Sequence, residues 1–461
     1  MKKELYEKII NLCLEHGCDF AEVYYEQARK TNYILLDKKL DDIPTNQTEG
    51  VGIRVEKNGN IYYSSTNTLT EENILNKTRE LLQNVPKTKS KQNTACTLGE
   101  LLTKLTPVKI AHNDFSIVEK VKLLKKIDKT ARTISKFIVQ VRVLLLETDK
   151  QFVVANSYGK FVKSDEITTR LACICNSERD NKKESSFKSA GAGIGYEFLE
   201  KVNLDDFAKE VATSAVKKLD SKAFEGGEVP VIIGTGFGAV IFHEACGHAL
   251  EATSVCDGLS VFTGCLNKKI ASEKVTLIDD GSIPGEWGST LIDSEGNETQ
   301  KNILIENGIL KKFLIDDRNS IKMKQPSTSS GRRQDYTYPP TSRMNNTYLA
   351  AGTDKFEDMV KSIDYGLYCK KMSGGSVDTK TGEFNFSADE CYLIKNGNIG
   401  DIVTGITLIG KGQDILKAVE MVADDLSLET GYCGSESGNV PVTIGEPTIK
   451  VSKILVGGTA E

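Results

Sequence analysis

Residues 241–251 read Ile-Phe-His-Glu-Ala-Cys-Gly-His-Ala-Leu-Glu, and the rest of the chain is best understood outward from them. The stretch contains two of the four histidines of the chain, His243 and His248, with Glu244 directly after the first. Neutral imidazoles are ligands for a borderline ion such as Zn²⁺, and a neighbouring carboxylate can take a proton from a water molecule at the metal. The plain alternative is an amphipathic helix with two polar positions, but a buried histidine pair would need polar partners in any case. The stretch therefore predicts a metal centre.

The spacing of the two histidines predicts an irregular helix. Residues five apart on a regular α-helix point roughly 140° away from each other, whereas residues four apart share a face. A straight helix would therefore bring Glu244, and not His243, onto the face of His248. Both imidazoles can reach one ion only if the turn is widened, as in a π-bulge. Gly247 lies inside this turn and, lacking a Cβ, would ease the distortion.

Length, charge and cysteine usage bound the class of protein. A chain of 461 residues is long enough for two or three domains, and its net charge of −5 with a pI near 5.7 argues against nucleic-acid binding. The sequence has no run of 18 apolar residues, so no membrane span is expected. The start carries Glu4, Glu7 and Glu15 and does not read as a signal peptide. Eleven cysteines without a C-x-x-C spacing indicate reduced thiols and a cytoplasmic location.

Glycine usage divides the chain into two halves. Only nine of the 39 glycines precede residue 220, so thirty follow it, and long helical patterns nearly vanish there. The fold class predicted is α+β, with a two-part N-terminal α+β half and a β-rich C-terminal catalytic domain that has one long metal-binding helix. The predicted boundaries are residues 1–85 for the first unit, 86–106 for a linker, 107–222 for the second unit and 223–461 for the catalytic domain.

Local signals place several elements of the N-terminal half. Two separate strands are predicted at Ala21–Glu26 and Tyr33–Leu36, and a turn at Lys57-Asn58-Gly59 joins two further strands. Ser116 and Glu119 form a predicted capping box at the start of a helix.

Two further patterns bear on ligands. The glycines at 234, 236 and 238 are spaced G-x-G-x-G and introduce the helix with the metal-type side chains, so no dinucleotide cofactor is expected. A long Ser/Thr/Pro-rich loop over residues 319–343 carries Arg332, Arg333 and Arg343. These guanidinium groups could hold a substrate carboxylate or an oxyanion, or they could pair with acidic side chains, and the sequence does not separate the two roles.

Several blocks of the C-terminal half support a family resemblance together with HEACGHALEA. They are GSIPGEWGS (281–289), LIENGILKKFLIDDRNS (304–320), SGRRQDY (330–336), SRMNNTY (342–348), FNFSADECYLIKNG (384–397) and VPVTIGEPTIKVSKILVGGT (440–459). With these blocks, the chain resembles the TldD/PmbA family of metallopeptidases, on the TldD side, which keeps the H-E-x-x-x-H motif. The N-terminal half matches mainly in the order of its elements.

A catalytic zinc site usually has three protein ligands, so a third ligand beside His243 and His248 is expected. Reasoning from spacing alone leaves Cys246, three residues after His243, and Glu251, three residues after His248, as candidates. The resemblance implies instead Cys433, in a C-terminal turn Gly431-Tyr432-Cys433-Gly434. A small apolar residue is more usual in the family at the position of Cys246, where this chain departs from the pattern.

The resemblance also implies the activity. We expect a zinc-dependent metallopeptidase that hydrolyses unfolded peptides with low sequence selectivity, with Glu244 as the general base that activates the water. It further implies a dimer, either of this chain with itself or with a PmbA-type paralogue. Two other classes stay open: a zinc-stabilised scaffold without turnover, and a metal-dependent amidohydrolase that acts on a non-peptide amide. A retained Glu244 argues against the scaffold, because a structural site needs no base.

Overall fold

The computed structural model of the protein describes residues 1–88 and 95–458. Its N-terminal half is one sheet with helices packed on it. The strands of this sheet are β1 (Phe20–Leu36), β2 (Lys39–Asp42), β3 (Thr45–Lys57), β4 (Asn60–Thr66), β5 (Leu102–Leu105), β6 (Ile138–Asn156), β7 (Phe161–Arg179) and β8 (Lys182–Ala192). The helices are α1 (Lys3–His16), α2 (Glu71–Gln83), α3 (Ile117–Arg132) and α4 (Leu204–Lys218).

The two predicted N-terminal units share this sheet. Its order is β4-β3-β1-β6-β7-β5, with β2 added beside β1 and β8 beside β7, so the antiparallel β1–β6 pair joins the first unit to the second. Each unit keeps its own hydrophobic core, one beneath α1 and α2 and one beneath α3 and α4. The division into domains stays a prediction. Strand β5 lies inside the predicted linker, of which residues 89–94 fall outside the described residues.

Local sequence signals behave as predicted. Ser116 accepts a hydrogen bond from the Glu119 N–H while the Glu119 carboxylate accepts one from the Ser116 N–H, so the capping box is confirmed. Asn58 and Gly59 both have positive φ, 51° and 80°, as a two-residue hairpin turn between β3 and β4 requires.

Strand β1 differs from the prediction. The two strands predicted at 21–26 and 33–36 are one continuous strand, Phe20–Leu36, whose middle residues Arg29 and Lys30 are exposed. The polar middle breaks the hydrophobic alternation, but β3 and β6 pair with β1 on both sides through these residues. Hydrogen bonding from two neighbours therefore keeps the backbone extended where the side-chain pattern does not.

The C-terminal half is dominated by strands. They are β9 (Lys222–Ala223), β10 (Gly227–Ile233), β11 (Leu277–Asp280), β12 (Lys301–Glu306), β13 (Ile309–Leu310), β14 (Gly331–Arg332), β15 (Thr341–Ser342), β16 (Asn346–Leu349), β17 (Tyr365–Val377), β18 (Glu383–Lys395), β19 (Asn398–Thr404), β20 (Thr407–Lys411), β21 (Val419–Val422), β22 (Ser427–Ser435), β23 (Gly438–Glu446) and β24 (Ile449–Gly457). Short helices interrupt them at α5 (Val240–Phe242), α6 (Ala252–Cys256), α7 (Asp317–Met323), α8 (Phe356–Lys361) and α9 (Gly412–Ala418). The predicted fold class, α+β with a β-rich C-terminal part, is confirmed.

Two sheets of this half frame the predicted metal site. One has the order β17-β10-β24-β20-β18-β19-β9, and its strand β10 leads through Gly234–Gly236 into the helix with the histidines. The other has the order β13-β12-β11-β16-β23-β22 and carries Cys433 on its last strand. A single large hydrophobic core lies between these elements and includes Phe242, Leu250 and Val440.

A cluster of buried charges fastens the N-terminal sheet to the C-terminal half. Arg54 of β3 contacts Glu22 of β1 at 2.7 Å and Glu295 at 2.8 Å, and Arg333 contacts Glu22 at 2.6 Å. The side chains of all four are no more than 1% exposed. Charges buried this deeply are tolerated only when they are paired. The cluster therefore fixes the orientation of the N-terminal sheet relative to the C-terminal half.

Within residues 1–88 and 95–458, the structure contains no helix with the length and apolar character needed to cross a bilayer.

Candidate metal centre

The histidines lie on a helix that changes type along its length. It runs as a 3₁₀ turn over Phe237–Ala239, as α5, as a π-helix over His243–Gly247 and as a second 3₁₀ turn over His248–Leu250. The His248 N–H donates to the His243 carbonyl, which is the five-residue hydrogen bond of a π-turn. The widened turn predicted from the histidine spacing is confirmed.

Gly247 is required for space and not for its backbone angles. Its φ of −54° and ψ of −54° are ordinary helical values that any residue adopts. A Cβ at this position would overlap with Sδ of the buried Met344. The glycine thus lets the π-helix pack closely on the segment that follows β15.

The structure brings three predicted ligands together. The ligand atoms of His243, His248 and Cys433 all lie within 4.8 Å of one another, and Nε2 of His248 is 3.2 Å from Sγ of Cys433. All three residues are buried. The prediction that Cys433 lies in a turn is wrong, because it lies in β22, directly opposite Val440 of β23. The hairpin turn follows at residues 436–437, so strand pairing, and not glycine flexibility, aims the thiol at the helix.

The electrostatics of this group favour a cation. Burial alone would raise the pKa of the Cys433 thiol, but His243 and His248 beside it lower that pKa to about 3. Burial alone would lower the pKa of His248, but Glu251, together with Cys433, raises it well above its ordinary value. Nδ1 of His243 is buried and has no hydrogen-bond partner among the described residues. Two imidazoles and a thiolate form a donor set that suits Zn²⁺, so the residues fit the ion.

The structure separates the other two candidates for the third ligand. Glu251 accepts a hydrogen bond from Nδ1 of His248 through Oε2 at 3.0 Å and is only 4% exposed. A carboxylate in this position orients a metal-binding imidazole from behind. Cys246 is fully buried in the hydrophobic core, and burial raises its pKa, which keeps the thiol protonated. Sequence spacing had made Glu251 a candidate ligand, but its orienting contact becomes visible only in the fold.

Glu244 is the accessible member of the group. Its carboxylate Oε2 lies 3.6 Å from Nε2 of His248, and 26% of its side chain is exposed, against 11% for His248. A general base must reach both the reacting water and the substrate, so partial exposure beside the ligands suits that role.

The three arginines of the loop differ in their partners. Arg333 pairs with the carboxylate of Glu22, which is one of the two roles predicted for these arginines. Arg343 donates to the carbonyls of Cys433 and Gly438 and to Ser437, and thereby braces the strand that carries Cys433. Arg332 donates to the Met344 carbonyl at 2.6 Å. The loop is ordered by these contacts and by α7, β14 and β15 within it.

Comparison with known sequences identifies three successive matches. The models of PmbA/TldA metallopeptidase domain 1, central domain and C-terminal domain match residues 21–85, 111–219 and 226–458. The chain is 33% identical over 472 aligned positions to the metalloprotease TldD homolog of Buchnera aphidicola subsp. Acyrthosiphon pisum, covering 99% of this chain and 97% of that protein. It is 26% identical to the zinc metalloprotease TldD homolog of Saccharolobus solfataricus, covering 98% of this chain and 99% of that protein.

Solved structures share the fold. TldE from Thermococcus kodakarensis superposes with a TM-score of 0.78 over 98% of this chain and 100% of that chain, at 19% sequence identity. At that identity the likeness establishes the fold alone.

Proposed function

The chain belongs to the PmbA/TldD family of metallopeptidases, and from this premise we propose that it is a zinc-dependent peptidase that hydrolyses unfolded peptides with low sequence selectivity. The observation that carries the proposal is the convergence of His243, His248 and Cys433 within 4.8 Å of one another, with Glu244 beside them. The family membership makes the protein a hydrolase, and the geometry supports the residues that we propose for the hydrolysis.

His243, His248 and Cys433 would hold the zinc ion. When bound, the ion supplies a Lewis acid that polarises the scissile carbonyl and lowers the pKa of water. Glu251 and Arg343 hold the ligands in place, because one orients His248 and the other binds the carbonyl of Cys433.

Glu244 would act as the general base. Its carboxylate takes a proton from the attacking water and later passes that proton to the nitrogen of the leaving amine. The carboxylate is not needed to bind the metal, since the three other side chains already provide the usual ligand count.

Burial of the site supports a preference for unfolded chains. His243 and Cys433 are each 3% exposed, so a bond in a folded protein cannot approach them. An extended peptide could reach the site and be held through its main chain, which gives little side-chain selectivity. The carbonyls of Gly431 and Cys433 in β22 already accept hydrogen bonds from Trp287 and Arg343, so the peptide would pair with another strand near the helix with the histidines.

The proposed setting is a cytoplasmic dimer, of this chain with itself or with a PmbA-type paralogue. The eleven cysteines include no C-x-x-C spacing, which is typical of reduced thiols in a cytoplasmic protein of this length. Light scattering of the chain alone and mixed with its paralogue tests the assembly, and a monomer in both samples would contradict it.

Glu244→Ala tests the catalytic assignment, with Glu72→Ala on the exposed face of α2 as the matched control. We expect Glu244→Ala to lose hydrolysis of denatured casein while keeping its zinc content by atomic absorption. Loss of zinc would make Glu244 a ligand, and retained turnover would remove it from the chemistry. A zinc-loaded wild-type protein that cleaves no peptide would favour a scaffold or an amidohydrolase.

The two buried thiols provide a matched pair for the ligand assignment. Cys433→Ser should lose most bound zinc and all activity, because a hydroxyl is a far weaker ligand than a thiolate. Cys246→Ser should keep both, with a modest stability cost for a polar atom in a packed core. Zinc lost from Cys246→Ser and kept in Cys433→Ser would overturn the ligand set.

Substrate form is tested with one protein in two states. We expect cleavage of a reduced, alkylated protein at varied sites, read by mass spectrometry, and no cleavage of the same protein with its disulfides intact. Efficient cutting of the folded form at one sequence would contradict the proposal.

A further inference from the structure

A small cavity lies between the N-terminal sheet and the C-terminal half, at the strand pair that carries the proposed zinc ligand Cys433. Its volume is about 240 Å³, and its wall includes Lys150 of β6, Arg332 of β14, and Tyr432 and Val440. Tyr432 precedes Cys433 in β22. Val440 of β23 lies directly opposite Cys433, so the side chains of Val440 and Cys433 are on the same face of the sheet. The cavity therefore reaches the strand pair that carries a proposed zinc ligand.

Arg332 is a buried cation that forms no ion pair with a carboxylate of the described residues. The residue is 6% exposed, and its guanidinium donates to the Met344 carbonyl. No acidic oxygen lies within 4.0 Å of its nitrogens in residues 1–88 and 95–458. The neighbouring Arg333, by contrast, pairs with Glu22 at 2.6 Å. Burying an unpaired guanidinium is costly, so an anion from outside the chain is the partner that would complete this site.

The charges around the cavity agree with an anionic ligand. Lys30 and Lys150 line it with Arg332, and the contacts of Lys150 with Glu26 and Glu166 are long, at 3.8 Å and 3.6 Å. The lining carboxylates are Glu166 and Asp293, and Asp293 accepts hydrogen bonds from its own loop. Burial, followed by the nearby Arg343, lowers the pKa of Arg332 to about 10, although the more distant charges of Glu166, Asp279 and Cys433 act in the opposite direction. Arg332 therefore stays charged at neutral pH.

We propose that this cavity is a carboxylate-binding subsite of the peptidase, in which Arg332 receives a carboxylate of the bound peptide. The forked donors of a guanidinium match the two oxygens of a carboxylate. The cavity is smaller than the roughly 300–1,000 Å³ of sites for drug-sized ligands, so it takes the end of a peptide or one side chain. This inference rests on the proposed peptidase function, because the cavity reaches the strand pair that carries the proposed ligand Cys433.

The carboxylate can come from the C-terminus of the peptide or from an acidic side chain, and matched peptide substrates distinguish these two sources. A free α-carboxylate in the subsite would direct cleavage to bonds near the carboxyl end of a peptide. An Asp or Glu side chain would instead create a preference for acidic residues within the sequence. Matched peptides with a C-terminal acid or amide, and with Glu or Gln near the cleaved bond, separate these sources.

The experiment measures kcat/KM for these matched peptides on the zinc-loaded protein. We expect the carboxylate form of one pair to be favoured by about 10- to 100-fold, the range for a hydrogen bond to a charged group. Arg332→Gln should reduce this ratio to near one, and Arg332→Lys should keep part of it. The control Arg79→Gln, on the exposed side of α2, should leave the ratio unchanged. Equal rates for both pairs with the wild-type protein would overturn the proposal.

A binding measurement tests the carboxylate subsite independently of peptidase activity. Calorimetry with the Glu244→Gln protein measures affinity for the acid and amide peptides without turnover. Tighter binding of the carboxylate form, lost in Glu244→Gln/Arg332→Gln, supports the subsite even if the wild-type protein cleaves no peptide. Equal binding of both forms overturns the subsite even if the wild-type protein is an active peptidase.

Discussion

Removing Glu251 should weaken zinc binding without abolishing it. Oε2 of Glu251 lies 3.0 Å from Nδ1 of His248, and since a carboxylate oxygen can only accept, Nδ1 carries the shared proton. This contact fixes the ring so that Nε2 faces Sγ of Cys433 at 3.2 Å. A change at Glu251 therefore acts on the metal through His248 and leaves the three proposed ligands in the protein.

The contact predicts a graded loss. Glu251→Ala leaves the Nδ1–H unsatisfied in a buried site, which costs about 1–3 kcal/mol, and this corresponds to a zinc affinity lower by about 10- to 100-fold. Glu251→Gln can still accept the proton through its amide oxygen, but a neutral hydrogen bond is roughly half as strong as a charge-assisted one. We therefore expect the glutamine variant to lose affinity by about tenfold or less.

Competition against a chromogenic zinc chelator measures both variants. Glu383→Gln serves as the control, because Glu383 is an exposed carboxylate of the same half that pairs with Lys411 at 3.5 Å. Far-UV circular dichroism establishes that the variants are folded. Wild-type affinity in Glu251→Ala would refute the orienting role, and a metal-free Glu251→Gln would show that Glu251 is itself a ligand.

Three further predictions concern stability and packing. Arg54→Met leaves the buried Glu295 without its ion-pair partner and Glu22 with Arg333 alone, and should lower the free energy of unfolding by about 3–5 kcal/mol in urea denaturation, whereas an unchanged midpoint would contradict the pairing. Gly247→Ala forces Met344 to move and should lower the free energy of unfolding by about 1–3 kcal/mol and also weaken zinc binding. A variant as stable as the wild type would mean that the packing of the π-helix can accommodate the added methyl group. Burial alone would raise the pKa of Glu390, but Lys370 and neighbouring hydroxyls lower it to about 2. Because this folded-state pKa is depressed, the stabilisation is complete above the unfolded value of about 4.3 and is lost as the pH falls through about 2. Glu390→Gln should thus cost on the order of 3 kcal/mol at both pH 7 and pH 5 and less at pH 3, and a cost independent of pH would refute the assignment.

Features encoded within a few residues were predictable from the sequence. The capping box at Ser116 and the turn at Asn58-Gly59 follow from local hydrogen bonding and backbone preference. The π-turn follows from the five-residue interval between His243 and His248, because a regular helix cannot direct both rings to one point.

Features that depend on distant partners were not predictable. Glu22 and Arg333 are 311 residues apart, so a substrate carboxylate and an acidic side chain of the protein are equally good predicted partners for each loop arginine when only the sequence is considered. The position of Cys433 in a strand depends on its pairing with β23, since glycines on both sides favour a turn when the chain is considered alone. The shared N-terminal sheet depends on the pairing of β1 with β6. The side-chain pattern of each strand does not indicate which other strand it pairs with.

The position of β24 has a consequence for protein synthesis. This strand lies between β10 and β20, and β10 leads directly into the helix with the histidines. At about 5–20 residues per second, the roughly 200 residues between His248 and the end of β24 take about 10–40 s to translate. During that interval the histidines are already made, while β10 lacks β24, one of its two neighbouring strands. We expect chains that stop at Glu446 to bind little zinc although they contain Cys433, and full zinc occupancy in such chains would contradict this. Unfolded nascent chains near the ribosome would thus not be cleaved by this peptidase until its strand β24 has been made.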